Sequence, residues 1–381
     1  MRASASRILA ISRKEFVHIS RDWRMIVAVL VLPLVQLLLF AYAISFDVRN
    51  VPTVLLDQDL TPASRAYLDS YGQSGFFSVT GTVADVDAVY AAFDHNEARV
   101  AVVVARGFGD AINSGGKGQV SVLVDGSEPN SAQLGHAYAV ALNNVLSRKT
   151  LLTWAETKGV SLSGVGMLEP RIRDWYNPER RSADFLVPGL MVVIIMIVTV
   201  QQTAVTLVKE RESGTLEQLL ESPLTDGELI VGKVLPWAFL GFVDTVAISI
   251  VAMGVFKVPL RGDLSVLAVG MFLFILCALS IGLVISAVAP SIESANMIAL
   301  LVSFLPGFML SGMAFPLSSV PPFLRVVSFL FPARYMTDIS RGVFLRGTSW
   351  DVLGIEVLRL LAYAVVGLVL AAVLNKRRGL R

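Results

Sequence analysis

Phe185–Val208, FLVPGLMVVIIMIVTVQQTAVTLV, contains no charge, and the next seventeen residues, Lys209–Thr225, read KERESGTLEQLLESPLT. At 1.5 Å per residue the first stretch is long enough to cross a hydrocarbon core of about 30 Å. The second opens on four consecutive charges, so the chain leaves the bilayer there. Thr215 can cap a short helix and Gln218, three residues on, can complete a capping box. Leu216, Leu219 and Leu220 then share one face, and Glu217 and Glu221 share another. Gly214 loosens the chain before this helix and Pro223 stops it. The reading is an amphipathic helix held at a membrane surface, with a solvated connecting loop as the alternative.

The rest of the composition agrees with a membrane protein. Of 381 residues, 54% are hydrophobic and only 16% charged, well below the roughly 25% of soluble domains. A net charge of +2 is too small to argue for nucleic acid. The single cysteine, Cys277, lies in an apolar run, which excludes a disulfide or a cysteine metal site within one chain. The first apolar run follows a basic arm and is too long for a signal-peptide core, so no cleavable signal is expected.

Residues 1–24 interleave Arg2, Arg7, Arg13, Lys14, Arg21 and Arg24 with Ile8, Ile11, Phe16, Ile19 and Trp23. That pattern predicts a basic amphipathic helix along the inner interface. A first span follows at 25–46, with the N-terminus inside by the positive-inside rule. Residues 47–184 change in kind. Strands are predicted at Thr53–Leu56, Phe77–Thr80, Arg99–Val104 and Gln119–Val124. Helices are predicted at Pro62–Tyr71, Val83–Phe93, Phe108–Asn113 and Ser131–Lys158. The alternation describes one α/β domain inserted outside the cytoplasm.

The second span, 185–208, has an unusually polar inner half with Thr199, Gln201, Gln202, Thr203 and Thr206. Such side chains face protein or a cavity rather than lipid. After the charged segment 209–226, a third span at 229–256 holds a lone acid, Asp244, roughly 16 Å beyond Lys233. An acid at that depth is a functional candidate, with a structural hydrogen bond as the alternative. Further spans are expected at 264–289, 294–315 and 352–375. Between the last two, Pro316, Pro321 and Pro322 predict a broken, re-entrant external segment, 316–350. A basic tail, 376–381, belongs inside. The expected fold is therefore mainly α, with six transmembrane helices and an α/β extracytoplasmic domain between the first two. Arg325, Arg334, Arg341 and Arg346 fall on the outer side of this topology and count against it.

Catalytic patterns are missing. Gly227–Val234 nearly matches a P-loop, but Val234 lacks the hydroxyl that binds magnesium and no strand precedes it. Gly115-Gly116-Lys117-Gly118 reads as a turn. His18, His95 and His136 are scattered, and no metal site is expected.

Lys209–Thr225 closely resembles the cytoplasmic segment of ABC-2 type permeases, in Glu210, Arg211, Gly214, Thr215, Glu217, Leu219, Leu220 and Pro223. Arg13-Lys14-Glu15-Phe16 with Arg21-Asp22, and Ser311-Gly312 with Phe315-Pro316, Pro321 and Pro332–Tyr335, are similar to that family too. Asp125–Asn130 and Trp175–Pro178 resemble its multidrug-export branch with a large external domain. The resemblance implies an export permease that hydrolyses no ATP itself. A cytosolic ATPase subunit would bind ATP and magnesium and dock on Glu210–Pro223. A second permease chain, identical or different, would complete the complex in a bacterial inner membrane, both termini cytoplasmic. Gln201, Gln202, Thr203, Asp244, Phe304 and Phe308 would line the path, and Ser6–Arg24 would be the interfacial helix. The cargo expected is lipophilic or amphipathic. The external domain is open to two roles, gating the exit or engaging a periplasmic adaptor and outer-membrane channel. The alternative to export is a membrane-anchored sensor or scaffold whose external domain binds a ligand or partner.

Overall fold

The charge-free stretches form long helices in the computed structural model of the chain, which describes residues 2–43, 50–159, 175–178, 181–214 and 225–379. Two units result, one of Met1–Ser45 with Arg173–Arg381, the other of Phe46–Ile172. In the first unit α1 spans Arg2–Arg21. The Asp22 carboxylate then accepts hydrogen bonds from the backbone N–H groups of Arg24 and Met25, at 3.1 and 3.2 Å. That cap separates α1 from α2, Trp23–Ala43, the first apolar helix.

The second unit is built on a four-stranded sheet: β1 Val51–Asp57, β2 Phe77–Thr82, β3 Val100–Val104 and β4 Val120–Val124. The strand order is β2-β1-β3-β4, with β4 antiparallel to β3 and the other pairs parallel. The parallel pairs need helical crossovers, supplied by α3 Pro62–Gln73 and α4 Val86–Asp94. α5 Phe108–Asn113 and α6 Pro129–Thr157 complete the unit. The order of strands and helices is the one the sequence predicts. Alternation divides the sheet into two apolar faces. Leu55, Val100, Val102 and Val104 pack with Leu68, Tyr71 and Phe108. Val54, Leu56, Ala101 and Val103 pack with Val89 and Ala92.

The first unit resumes with α7 Ser182–Glu212, α8 Asp226–Gly254, α9 Leu264–Val288 and α10 Ile292–Met309. After two short helices, α11 Pro322–Ser328 and α12 Pro332–Arg341, the chain ends in α13 Trp350–Gly379. Among the described residues, α2, α7, α8, α9, α10 and α13 make six helices long and apolar enough to span a membrane. This is a mainly helical, multi-pass membrane protein. α7 is its core. The apolar window of α7 is 89% buried inside the protein, against 22% for α2 and α13. A helix apolar on every side must be enclosed or face lipid, and α7 is enclosed by α2, α8, α9, α10 and α12.

Two features of this unit were not anticipated. α10 stops at Met309, short of the expected Phe315, because Gly312 adopts φ +82°, a conformation that ends helices. Arg341 of α12 then bonds the turn beyond α10, donating to Gly312 O at 2.7 Å and Met313 O at 2.8 Å. It also donates to Phe185 O at 3.3 Å, its guanidinium 3.8 Å from the Phe185 ring. Ser340 donates to Pro188 O at 3.0 Å, beside a proline that removes one helical N–H from α7. Arg325 and Arg334 bond backbone carbonyls in the same way. Three of the arginines that counted against the topology thus hold irregular backbone together.

Candidate functional site

α7 ends in Lys209-Glu210-Arg211-Glu212, and three of these side chains reach three different elements. Glu210 forms an ion pair with Lys233 of α8. Arg211 donates to the carbonyl of Ala289, the residue that closes α9. Glu212 accepts at 2.9 Å from the backbone N–H of Ile292, the first residue of α10. A carboxylate at a helix start satisfies an orphan donor and meets the positive end of the helix dipole. A guanidinium at the C-terminal end of α9 does the converse.

Lys233 is placed by a capping box. The Thr225 hydroxyl accepts from Glu228 N at 3.3 Å, and the Glu228 carboxylate accepts from Thr225 N at 3.0 Å. Two turns into α8, Lys233 is 2% exposed. Its ammonium also lies 3.9 Å from Glu15 of α1. Two carboxylates thus face one ammonium in an enclosed site. Ions so placed are tolerated only when paired, because desolvation costs several kcal/mol per ion.

The packing of α1 on α8 explains the remainder. Ile11, Glu15 and Ile19 are its buried stripe, four residues apart on one helical face. Arg13, Lys14 and Phe16 are exposed, so within Arg13–Phe16 only the glutamate turns inward. Gly232 permits the approach, since a Cβ there would lie 2.7 Å from Ile11 Cβ. Arg7 adds an ion pair to Glu228 at 3.7 Å. Gly227–Val234, the near match to a P-loop, is the opening of this helix. Its lysine and second glycine serve α1. A cleft of about 510 Å³ lies between α1 and α7, lined in part by Lys14, Glu15, His18, Gln202 and Lys209.

Glu210 and Arg211 therefore lie within the network, and Gly214 takes φ +71° just beyond α7. Thr215, Glu217, Leu219, Leu220 and Pro223 lie outside the described residues. Gln201 and Gln202 are half-buried on α7. Thr203 is buried, and its hydroxyl donates to Thr199 O of its own helix at 2.8 Å. Asp244 is 4% exposed and its Oδ1 has no hydrogen-bond partner among the described residues. Phe304 and Phe308 stack on each other on α10, centroids 5.6 Å apart. Among the described residues no hydrogen bond or ion pair links Asp244 to the glutamine and threonine side chains, and no cluster of three metal-ligating groups assembles. Lys233 and Arg341 were missed as site residues. The signal for Lys233 was present: a lysine eight residues into an apolar helix needs a buried acid.

Residues 23–373 match the model of the ABC-2 family transporter proteins, and the chain belongs to that family. It is 31% identical over 376 residues to the "Probable multidrug ABC transporter permease YbhS" of Escherichia coli (strain K12), covering 98% of this chain and 97% of that one. It is 25% identical over 347 residues to the "Probable multidrug ABC transporter permease YbhR" of the same organism, covering 91% and 92%. To the "Inner membrane transport permease YhhJ" of that strain it is 27% identical over 317 residues, covering 82% and 81%. It is a transport subunit of the ABC permease type.

Proposed function

We propose that the chain is the permease of an ATP-driven exporter, moving a lipophilic or amphipathic cargo out of the cytoplasm or inner leaflet. A separate ATPase, holding ATP and magnesium, docks on the segment after Gly214, and a second permease chain completes the pathway. Both termini and the Glu210–Lys233 network face the cytoplasm, and the sheet-containing unit lies outside. The multidrug label of the two relatives supports this class of cargo.

One observation carries the reading. The residues leading into the docking segment are bonded to the ends of α8, α9 and α10 at once, so movement of that segment reaches three spans through direct contacts. The test is co-purification. Alone, the chain hydrolyses no ATP; co-expressed with its ATPase it gives a stable complex. Glu217→Lys with Leu219→Asp abolishes the complex while membrane insertion persists. A doubly substituted chain that still co-purified with a fully active ATPase would remove the docking assignment.

A further inference from the structure

The sheet-containing unit holds a groove unrelated to the coupling network. Two adjoining cavities of about 490 and 360 Å³ lie among α3, α5 and α6 and share Tyr67, Phe108, Leu146, Thr150 and Trp154 as walls. The turn Gly115–Gly118 is shaped to these rings. A Cβ on Gly115 would lie 2.5 Å from the Trp154 ring, and one on Gly118 would lie 2.6 Å from Phe108. Bare backbone therefore backs two aromatic walls. Lys117 is the single side chain beyond a hydrogen that the turn carries, and it is exposed at the lining of the groove.

The polar lining is biased toward donors. Asn143 Oδ1 accepts from the hydroxyls of both Tyr67 and Tyr71, the latter at 2.9 Å, which leaves its amino group to offer. Burial pushes both phenols up from their ordinary pKa, so this arrangement holds through neutral pH. The Trp154 indole N–H is enclosed and makes no hydrogen bond among the described residues, although a buried donor ordinarily has a partner. Lys117 and Lys149 add two ammonium groups, and among the described residues neither cavity is lined by an aspartate or glutamate.

We propose that this groove binds a small aromatic anion, its flat ring against Tyr67, Phe108 and Trp154 and its carboxylate or sulfonate among the donors and lysines. Aromatic walls supply apolar contact, and two lysines with no carboxylate among the described lining residues set the sign of the charge. The assignment is independent of the coupling reading, since it concerns binding alone.

The experiment uses the full chain in lipid nanodiscs, with empty nanodiscs subtracted, and two probes of equal shape, 1-naphthoate and neutral 1-naphthamide, in equilibrium dialysis. Naphthoate should bind at least tenfold more tightly than naphthamide. Lys117→Ala with Lys149→Ala should raise the naphthoate Kd at least tenfold and leave naphthamide unchanged. Thr150→Trp, which fills the shared wall, should abolish both. Absence of saturable naphthoate binding by the unaltered chain overturns the assignment. So does equal affinity for the two probes, or indifference to the substitutions. If the lysine pair impairs folding, the probe ratio on the unaltered chain and Thr150→Trp still decide.

Discussion

Lys233 on α8 and Glu210 at the end of α7 form an ion pair closed off from solvent, with Glu15 of α1 as its third member. Lys233→Met would leave two buried carboxylates facing each other. Loss of one member of a buried pair costs about 3–5 kcal/mol, so a marked fall in Tm of the detergent-solubilised protein is expected. Adding Glu210→Gln to Lys233→Met should restore part of that loss, because one carboxylate, that of Glu15, then lacks the ammonium instead of two. Glu15→Gln should cost least, since a one-to-one pair persists. Additive effects of the two substitutions at 210 and 233 would show that they are uncoupled.

Arg341 draws together the carbonyls of Phe185, Gly312 and Met313. A lysine keeps the charge and lacks the planar fork that reaches three acceptors. Arg341→Lys should therefore destabilise by about 2 kcal/mol or more, from carbonyls left unsatisfied. Thermal melts of the two proteins in the same detergent measure it. Equal Tm values would mean that water replaces the guanidinium without loss.

Asp125 is a pH-sensitive strut of the sheet-containing unit. Hydrogen bonds from Ser127 and then the ion pair with Arg99, at 2.6 Å, bring its carboxyl down to about 2. A depressed folded-state pKa stabilises above the unfolded value of about 3.9 and is lost as pH falls toward 2. Asp125→Asn should thus flatten the decline of Tm between about pH 4 and pH 2. An unchanged slope in that window would place the acid sensitivity elsewhere.

Asp244 is buried with an oxygen that has no hydrogen-bond partner among the described residues. If the carboxylate bonded a neighbour, replacement would weaken the fold. Asp244→Asn should instead leave Tm within a few degrees of the unaltered protein, while export of a fluorescent cargo from whole cells falls several-fold. A Tm loss matching that of Lys233→Met would assign the residue a structural role.

Long, predominantly apolar runs disclosed the spans, and the change from such runs to alternation disclosed the α/β unit. Pairings across the fold were hidden. Glu15 sits in a basic arm where apolar Phe16 is the more conspicuous residue, yet Glu15 turns inward because its counter-charge, Lys233, lies more than two hundred residues away in sequence. Arg341 misled for a related reason: a positive-inside count weighs each arginine by location and ignores the carbonyls it can bond. Lys209–Glu212 was legible as a charged exit from the membrane and, by resemblance, as the start of a docking segment; its three contacts were not, because they belong to helix ends that no periodicity relates.

Pinned at both ends, α7 behaves as a stiff strut. Arg341 and Ser340 hold its beginning at Phe185 and Pro188. Glu210, Arg211 and Glu212 hold its end. Tight enclosure leaves a helix little room to bend, so a thrust at one end arrives at the other, roughly 45 Å away, as displacement of the whole rod. A stroke delivered beyond Ser213 would then be felt by the Arg341 clamp without any relay of side chains along the way.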